Sequence, residues 1–111
     1  MAKDLSIAVL MDFYGGMLTD KRYDVLDMYY NQDMSLAEIA AELDISRQGV
    51  RDAIKHGERQ LAELEEKLGL AKRFADIQKR IRRINEILAE SGSFAGSDEI
   101  KSILGEIEAF V

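Results

Sequence analysis

The feature that most limits the fold is a pair of helix starts only eleven residues apart, in the stretch SLAEIAAELDISRQGVRDAIK at 35–55. Ser35 and Glu38 match a capping box, in which the serine accepts from an amide of the first turn and the glutamate accepts from the serine amide. Ser46 matches a second helix start. The first helix must therefore be short and must end in a tight turn. We predict a helix-turn-helix over 35–55.

Composition favours helix along the whole chain. Ala, Leu, Ile, Glu, Lys and Arg dominate and proline is absent, so almost every window has good helix propensity. We therefore predict an all-α protein with a helix-turn-helix domain at 1–57 and a long C-terminal helical extension. The extension divides into an amphipathic segment at 58–90, a flexible link at 91–97 and a last amphipathic helix at 98–111.

The N-terminal part is predicted to contain two helices. Leu5 to Tyr14 form the first, and the glycine pair at 15–16 ends it because glycine accepts left-handed backbone angles. Thr19 caps the second helix, DKRYDVLDMYY at 20–30. Its tyrosines follow helical spacing, which favours a place in the core over a stacking platform for bases.

Two apolar seams with alternating steps of four and three residues follow the predicted turn. The first comprises Val50, Ile54, Gly57, Leu61, Leu64 and Leu68, and the second comprises Leu70, Phe74, Ile77, Ile81, Ile84 and Leu88. The change of phase predicts a kink near Gly69, since one straight helix cannot turn both seams to one partner. We expect coiled-coil packing in which the seams face each other or a second subunit. A homodimer is the prediction.

The exposed start of the second helix of the motif is the candidate reading face for DNA. It comprises Ser46, Arg47, Gln48, Arg51 and Lys55. Arginine offers paired donors to guanine or phosphate, glutamine pairs with adenine, and serine donates to phosphate. The alternative is that Arg47 and Arg51 pair with Glu38 or Asp52. The net charge of −6 predicts weak binding by a single chain, because affinity for nucleic acid depends on neutralising phosphates.

A second candidate contact is the one basic segment of the chain, KRFADIQKRIRR at 72–83. Its basic stripe comprises Lys72, Arg73, Lys79, Arg80 and Arg83, opposite an apolar side of the same helix. Such a stripe fits the phosphates of DNA or structured RNA, or an anionic membrane surface. The alternative is a solvated face that pairs with acidic residues at 58–66 or 98–108.

Enzymatic and metal-binding classes find no support in the residues. His56 is the single histidine, cysteine is absent, and no glycine-rich phosphate loop occurs. We predict no catalytic residues, no metal site and no cofactor. The lack of cysteine and the absence of a signal peptide or an apolar run of bilayer length favour a cytoplasmic protein without membrane insertion.

Residues 18–68 resemble two nested families. The capped helix, the tyrosine-bearing helix end, the IA helix and the SR start match the pattern of region four of bacterial sigma factors. More closely, DFYGGMLTDKR and MYYNQDMSLAEIAAELDISRQGV are similar to the YlxM-like family of small bacterial proteins, with likeness over about residues 7–90. That resemblance implies a sigma-like helix-turn-helix and an accessory or regulatory role in the signal recognition particle pathway, with particle proteins or RNA as partners.

Overall fold

The computed structural model describes residues 6–110, and this part of the chain consists of six α-helices joined by short turns. The helices are α1 (Ser6–Tyr14), α2 (Asp20–Leu26), α3 (Leu36–Leu43), α4 (Arg47–Leu68), α5 (Leu70–Ser91) and α6 (Ser97–Phe110). A 3-10 turn at Gly15–Met17 follows α1, and a π-helical segment at Asp27–Asn31 continues α2. The all-α prediction is confirmed; Leu5, predicted to start the first helix, lies outside the described residues.

The chain divides into two compact units, the first ending at Ala71 and the second beginning at Lys72. The boundary expected from the sequence, after residue 57, falls inside α4 instead of between helices. Leu61, one turn beyond that point, is fully buried in the core of the first unit. The extra turns of α4 therefore belong to the helix-turn-helix unit.

The first apolar seam packs inside the first unit. Val50, Ile54 and Leu61 of α4 are completely buried in one cluster with residues of α1, α2 and α3. Gly57 completes the contact, because a Cβ atom at this position would lie 2.6 Å from Cδ1 of Leu26. For the seam from Val50 to Leu64, the expectation that it faces the second seam or another subunit is therefore wrong, while its last residue, Leu68, is 42% exposed. Heptad spacing here serves packing against the chain's own N-terminal helices.

The helix-turn-helix is formed as predicted, and its turn is held by short-range hydrogen bonds. Ser35 Oγ accepts from Glu38 N at 3.1 Å while Ser35 N donates to Glu38 Oε1 at 3.2 Å, which completes the capping box. Asp44 closes α3 in the left-handed conformation, with φ of 55°. Ile45 N then donates to Ala40 O at 3.0 Å, so the chain turns at once into α4.

The connection between α1 and α2 corrects one expectation. The glycines at 15–16 lie in a 3-10 turn and neither adopts a positive φ. Gly15 is instead required for space, since a Cβ atom there would lie 2.9 Å from the ring of Tyr23. The reason for this glycine is a contact with the next helix and not the backbone conformation.

The π-helical segment sets the positions of two tyrosines in the first unit. Asp27 stabilises the segment by accepting from Asn31 Nδ2 at 2.7 Å and from Gln32 Nε2 at 2.9 Å. These hydrogen bonds lower the pKa of the Asp27 carboxyl. Tyr29 is buried, and Tyr30 packs edge-on against it and donates to Glu58 of α4. Both side chains therefore belong to the packed core and its border.

The second unit is a hairpin of α5 and α6. Ile81, Leu88 and Leu104 form its buried cluster. Residues 92–96 make the turn, in which Gly92 and Gly96 have positive φ. Ser97 Oγ accepts from Phe94 N at 3.3 Å, and Ser97 is itself buried. The connection is thus shorter than the predicted link at 91–97, because a helix occupies each end of it.

Candidate nucleic-acid interface

The five predicted reading-face residues lie together at the exposed start of α4. Ser46 is the helix cap, and the side chains that follow it on the open side of the helix are all exposed. Ser46 Oγ accepts from Gly49 N at 2.9 Å. The hydroxyl retains its own proton for donation, so capping and phosphate contact are compatible.

The three cations of this face have no partner within the part of the chain that the structure describes. Arg47, Arg51 and Lys55 form no hydrogen bond or ion pair through their side chains there. Glu38, the expected alternative partner, returns its carboxylate to the Ser35 amide. The face therefore presents three solvated positive charges beside the N-terminus of a helix, where backbone dipoles also favour an anion.

Asp52 modifies this face through Gln48. Gln48 Nε2 donates to Asp52 Oδ1 at 2.9 Å across one turn of α4. An adenine edge requires both the amide oxygen and the amide nitrogen of glutamine. The amide nitrogen has two N–H donors, so the bond to Asp52 uses one of them and leaves the oxygen and the other N–H of Gln48 for a base. Asp52 also places one negative charge among the cations of the face.

Gly49 keeps space for the cap of the reading helix. A Cβ atom at this position would lie 3.2 Å from Ser46 Oγ, a tight contact that would displace the capping oxygen slightly. The position also lies on a groove of about 410 Å³ between α4 and the start of α2. Glycine thus has a steric role in the motif beyond its unfavourable helix propensity.

The groove contains basic groups that reasoning from the sequence missed. Lys21 and Arg22 reach it from α2, and His56 reaches it from α4. Arg22 is held in place, since its Nη1 donates to Gln60 Oε1 at 3.0 Å while Gln60 Nε2 donates to Met17 O at 3.1 Å. Arg59 lines an adjoining groove, one turn after Lys55 on the same helix. Arg59 follows Lys55 by four residues and therefore lies on the same side of α4. This spacing is the signal by which Arg59 could have been found in the sequence.

The second predicted contact, on α5, lies in the other unit. Arg83 pairs with Glu86 at 3.1 Å and Arg80 donates to the Asp76 carbonyl oxygen at 3.3 Å, both within α5. Arg73 and Lys79 make no side-chain hydrogen bond or ion pair among residues 6–110. Lys72 has an interaction partner. The pairs at Arg80 and Arg83 are thus local and do not use the acids at 58–66 or 98–108.

Neither a metal site nor a membrane-spanning helix occurs among residues 6–110. Between residues 6 and 110 there is no group of three or more His, Cys, Asp or Glu side chains placed to hold a metal ion. In that range no helix is both long and apolar enough to cross a membrane. The start of α4, with the groove beside it, is therefore the best-defined candidate site of the first unit.

Comparisons with known proteins agree with the motif. The sequence profile of a family described as "Putative helix-turn-helix protein, YlxM / p13 like" matches residues 1–101. A UPF0122 protein of Caldanaerobacter subterraneus subsp. tengcongensis is 50% identical over 84 residues, which cover 76% of this chain and 72% of the relative. A UPF0122 protein of Acetivibrio thermocellus is 42% identical across 100% of this chain and 98% of its own length.

A more distant relative extends over nearly the same range. A UPF0122 protein of Bacillus cereus is 37% identical over 97% of this chain and 96% of its own length. The likeness thus includes both the helix-turn-helix and the helical extension, and the predicted resemblance to the YlxM-like family is confirmed. This chain belongs to the UPF0122 family of YlxM / p13-like helix-turn-helix proteins.

Proposed function

We propose that this protein is a cytoplasmic, non-enzymatic regulatory protein that binds DNA with the start of α4. The contacts are made by Ser46, Arg47, Gln48, Arg51 and Lys55. The observation that carries the proposal is the set of three exposed cations, Arg47, Arg51 and Lys55, without partners in the described part of the chain. Lysines and arginines of a recognition helix bind phosphates and base edges in the major groove.

A single chain binds weakly and gains affinity as a homodimer. The net charge of −6 opposes approach to a polyanion. In a dimer with two reading faces, DNA binding by the first face makes binding by the second face intramolecular. This raises the overall affinity without any new kind of contact. Paired helix-turn-helix units read two half-sites in this way.

The experiment is fluorescence anisotropy with duplex DNA at low salt. The double variant Arg47→Ala/Arg51→Ala should lose most of the binding. The control Lys67→Ala/Lys101→Ala removes the same charge from two exposed lysines that are not part of the predicted face, and it should lose much less. Equal losses in the two variants would show that only total charge matters and would refute the assignment of the face.

A second candidate is favoured by the stripe on α5, where Arg73 and Lys79 have no partner among residues 6–110. In this case the protein keeps the helix-turn-helix fold without sequence-specific DNA binding and contacts RNA or protein through α5. A-form RNA is bound mainly through phosphates and shape, which suits a row of cations. The resemblance to the YlxM-like family makes a component of the signal recognition particle the partner to test.

The two candidates predict different variants to fail. If α5 is the contact, Lys72→Ala/Lys79→Ala/Arg83→Ala should abolish co-purification with particle RNA and protein, while Arg47→Ala/Arg51→Ala leaves it intact. If α4 is the contact, DNA binding follows the reverse pattern. Retention of particle components by the α5 variant removes the second candidate.

A further inference from the structure

The hairpin of the second unit leaves more apolar side chains exposed than it buries. Only Ile81, Leu88 and Leu104 form its buried cluster. Six isoleucines remain between 38% and 46% exposed, and we refer to them as the isoleucine face: Ile77, Ile84, Ile87, Ile100, Ile103 and Ile107. Soluble proteins seldom leave such a group uncovered unless it is an interaction site.

All six isoleucines lie on one surface of the hairpin. Asn85 lies about 40° to one side of Ile81 on α5, and Glu108 lies about 40° to the same side of Leu104 on α6. Asn85 Nδ2 donates to Glu108 Oε1 at 3.2 Å, so this bond marks one surface. Around the axis of each helix, the isoleucines are rotated by about 40° to 120° from Ile81 or Leu104. On both helices this rotation is in the direction opposite to that of Asn85 and Glu108. The isoleucines therefore share the other surface.

The two helices of the isoleucine face carry opposite net charges. Arg73 and Arg80 lie about 80° to 100° from Ile81, between the isoleucines of α5, and Asp76 and Arg83 lie at the edge of that helix, about 140° to 160° away. Glu99 and Glu106 lie about 140° to 160° from Leu104 in the same sense and border the face along α6. All of these charged residues are exposed. The α5 side of the face thus has a net positive charge and the α6 side a net negative charge.

We propose that the isoleucine face packs against the same face of a second copy of this chain, forming a four-helix bundle with α5 of each copy over α6 of its partner. The two-fold axis runs parallel to the helices. Glu108 lies beside Gln78 and Ile81, so Arg80 and Glu106 are at similar heights along the hairpin. Rotation about the two-fold axis therefore brings Arg80 of each copy close to Glu106 of the other. The inference gives a surface to the homodimer of the proposed function.

Charge selects this arrangement over the other face-to-face pairing. Rotation about an axis perpendicular to the helices, within the interface, would place α5 on α5 and α6 on α6. The positive α5 sides would then meet each other and the negative α6 sides would meet each other, and like charges placed together are unfavourable. The parallel axis buries the isoleucines and places each α5 side against an α6 side of opposite net charge. A second copy is therefore the occupant whose apolar and charged features both match the face.

The first test is light scattering across a dilution series of the full-length protein. The wild type should have twice the mass of one chain at the highest concentrations. Ile84→Glu and Ile103→Glu should each raise the dimer Kd by about tenfold or more, because a charge would be desolvated at the centre of the interface. Ala75→Glu, an exposed substitution on another side of α5, should leave the Kd unchanged. Circular dichroism verifies that each variant keeps its helices.

The second test uses charge reversal and mixing. Arg80→Glu alone and Glu106→Arg alone should each weaken the dimer, since each homodimer then contains two like-charged pairs. An equimolar mixture of the two single variants should dimerise again, because both pairs are opposite in charge in the heterodimer. Native mass spectrometry measures the heterodimer directly. A monomeric wild type, a dimer insensitive to Ile84→Glu and Ile103→Glu, or a mixture that stays monomeric would each overturn the proposal.

These outcomes are independent of nucleic-acid binding. Arg47→Ala/Arg51→Ala should remain dimeric whether or not DNA is bound, since both positions lie outside the second unit. A dimer without DNA binding would leave the isoleucine face intact and refute only the reading face. DNA binding by a protein that stays monomeric would do the reverse.

Discussion

Tyr14 and Glu65, which are 51 positions apart, together cap the N-terminus of α5. Tyr14 Oη donates to Glu65 Oε1 at 2.7 Å and accepts from Leu70 N at 3.0 Å, while Ala71 N donates to Glu65 Oε1 at 3.0 Å. The first amides of a helix lack partners within it, so this pair satisfies two of them. Gly69, with φ of 62°, allows the chain to turn back from α4 to these acceptors.

The Tyr14 hydroxyl should make stability sensitive to alkaline pH. Burial, followed by the hydrogen bond with Glu65, raises the pKa of Tyr14 above its ordinary value of 10.0. The neutral form is thus favoured in the folded protein, and its contribution is complete below the pKa of the unfolded chain. The free energy of unfolding should fall as pH rises above about 10.

Denaturant titrations from neutral pH to about pH 11 measure this effect. Tyr14→Phe should be less stable than the wild type at neutral pH and should lose less stability over the alkaline range. Parallel pH curves for the two proteins would contradict the assignment of the effect to Tyr14.

Gly57→Ala should destabilise the protein by a net amount of up to about 2 kcal/mol, because overpacking against Leu26 costs about 1–3 kcal/mol. The contact of 2.6 Å outweighs the gain in helix propensity of about 1 kcal/mol. Gly105→Ala in α6 is the control, because a Cβ atom there meets nothing within 4 Å. The control should be neutral or stabilising in thermal or chemical unfolding. An equal gain in stability for both variants would mean that α4 and α2 are packed less tightly than the contact between position 57 and Leu26 indicates.

Asp44→Val should weaken the helix-turn-helix by about 1–2 kcal/mol, since a branched side chain is strained at a φ of 55°. Asp44→Gly should be tolerated, because glycine adopts the left-handed conformation without a steric cost. Chemical denaturation of both variants measures the difference. Equal stability of the two proteins would count against a left-handed turn at this position.

Asp52→Asn should increase affinity for DNA. The substitution removes one negative charge from the reading face and weakens the acceptor that holds Gln48 at 2.9 Å. Glu66→Gln makes the same change of charge at an exposed site farther along α4 and should have a smaller effect. Anisotropy titrations of both variants at one salt concentration give the comparison. A gain no larger than that of the control would exclude Asp52 as a local modulator.

Local chemistry could be predicted from the sequence, while the partners of each helix could not. The caps at Ser35 and Ser46 depend on neighbours three positions away, and both form as expected. The first seam has the spacing of a coiled coil, yet α1, α2 and α3 of the same chain cover it. Spacing specifies which side of a helix is apolar but does not specify what packs there.

Gly15 and Gly57 in the first unit follow the same rule. Gly15 is required by the ring of Tyr23 and Gly57 by the side chain of Leu26, both from a different helix. Neither contact can be predicted from local spacing. By contrast, the bond between Gln48 and Asp52 spans four positions of one helix, and its spacing is visible in the sequence.

The salt dependence of DNA binding measures whether Arg47 and Arg51 contact phosphates. The slope of log Kd against log salt counts the phosphates neutralised, at about 0.9 for each contact. We expect Arg47→Ala/Arg51→Ala to lower the magnitude of this slope by up to about two relative to the wild type. Lys67→Ala/Lys101→Ala should leave the slope unchanged. An unchanged slope in the first variant would contradict the assignment of the start of α4 as the DNA-binding face.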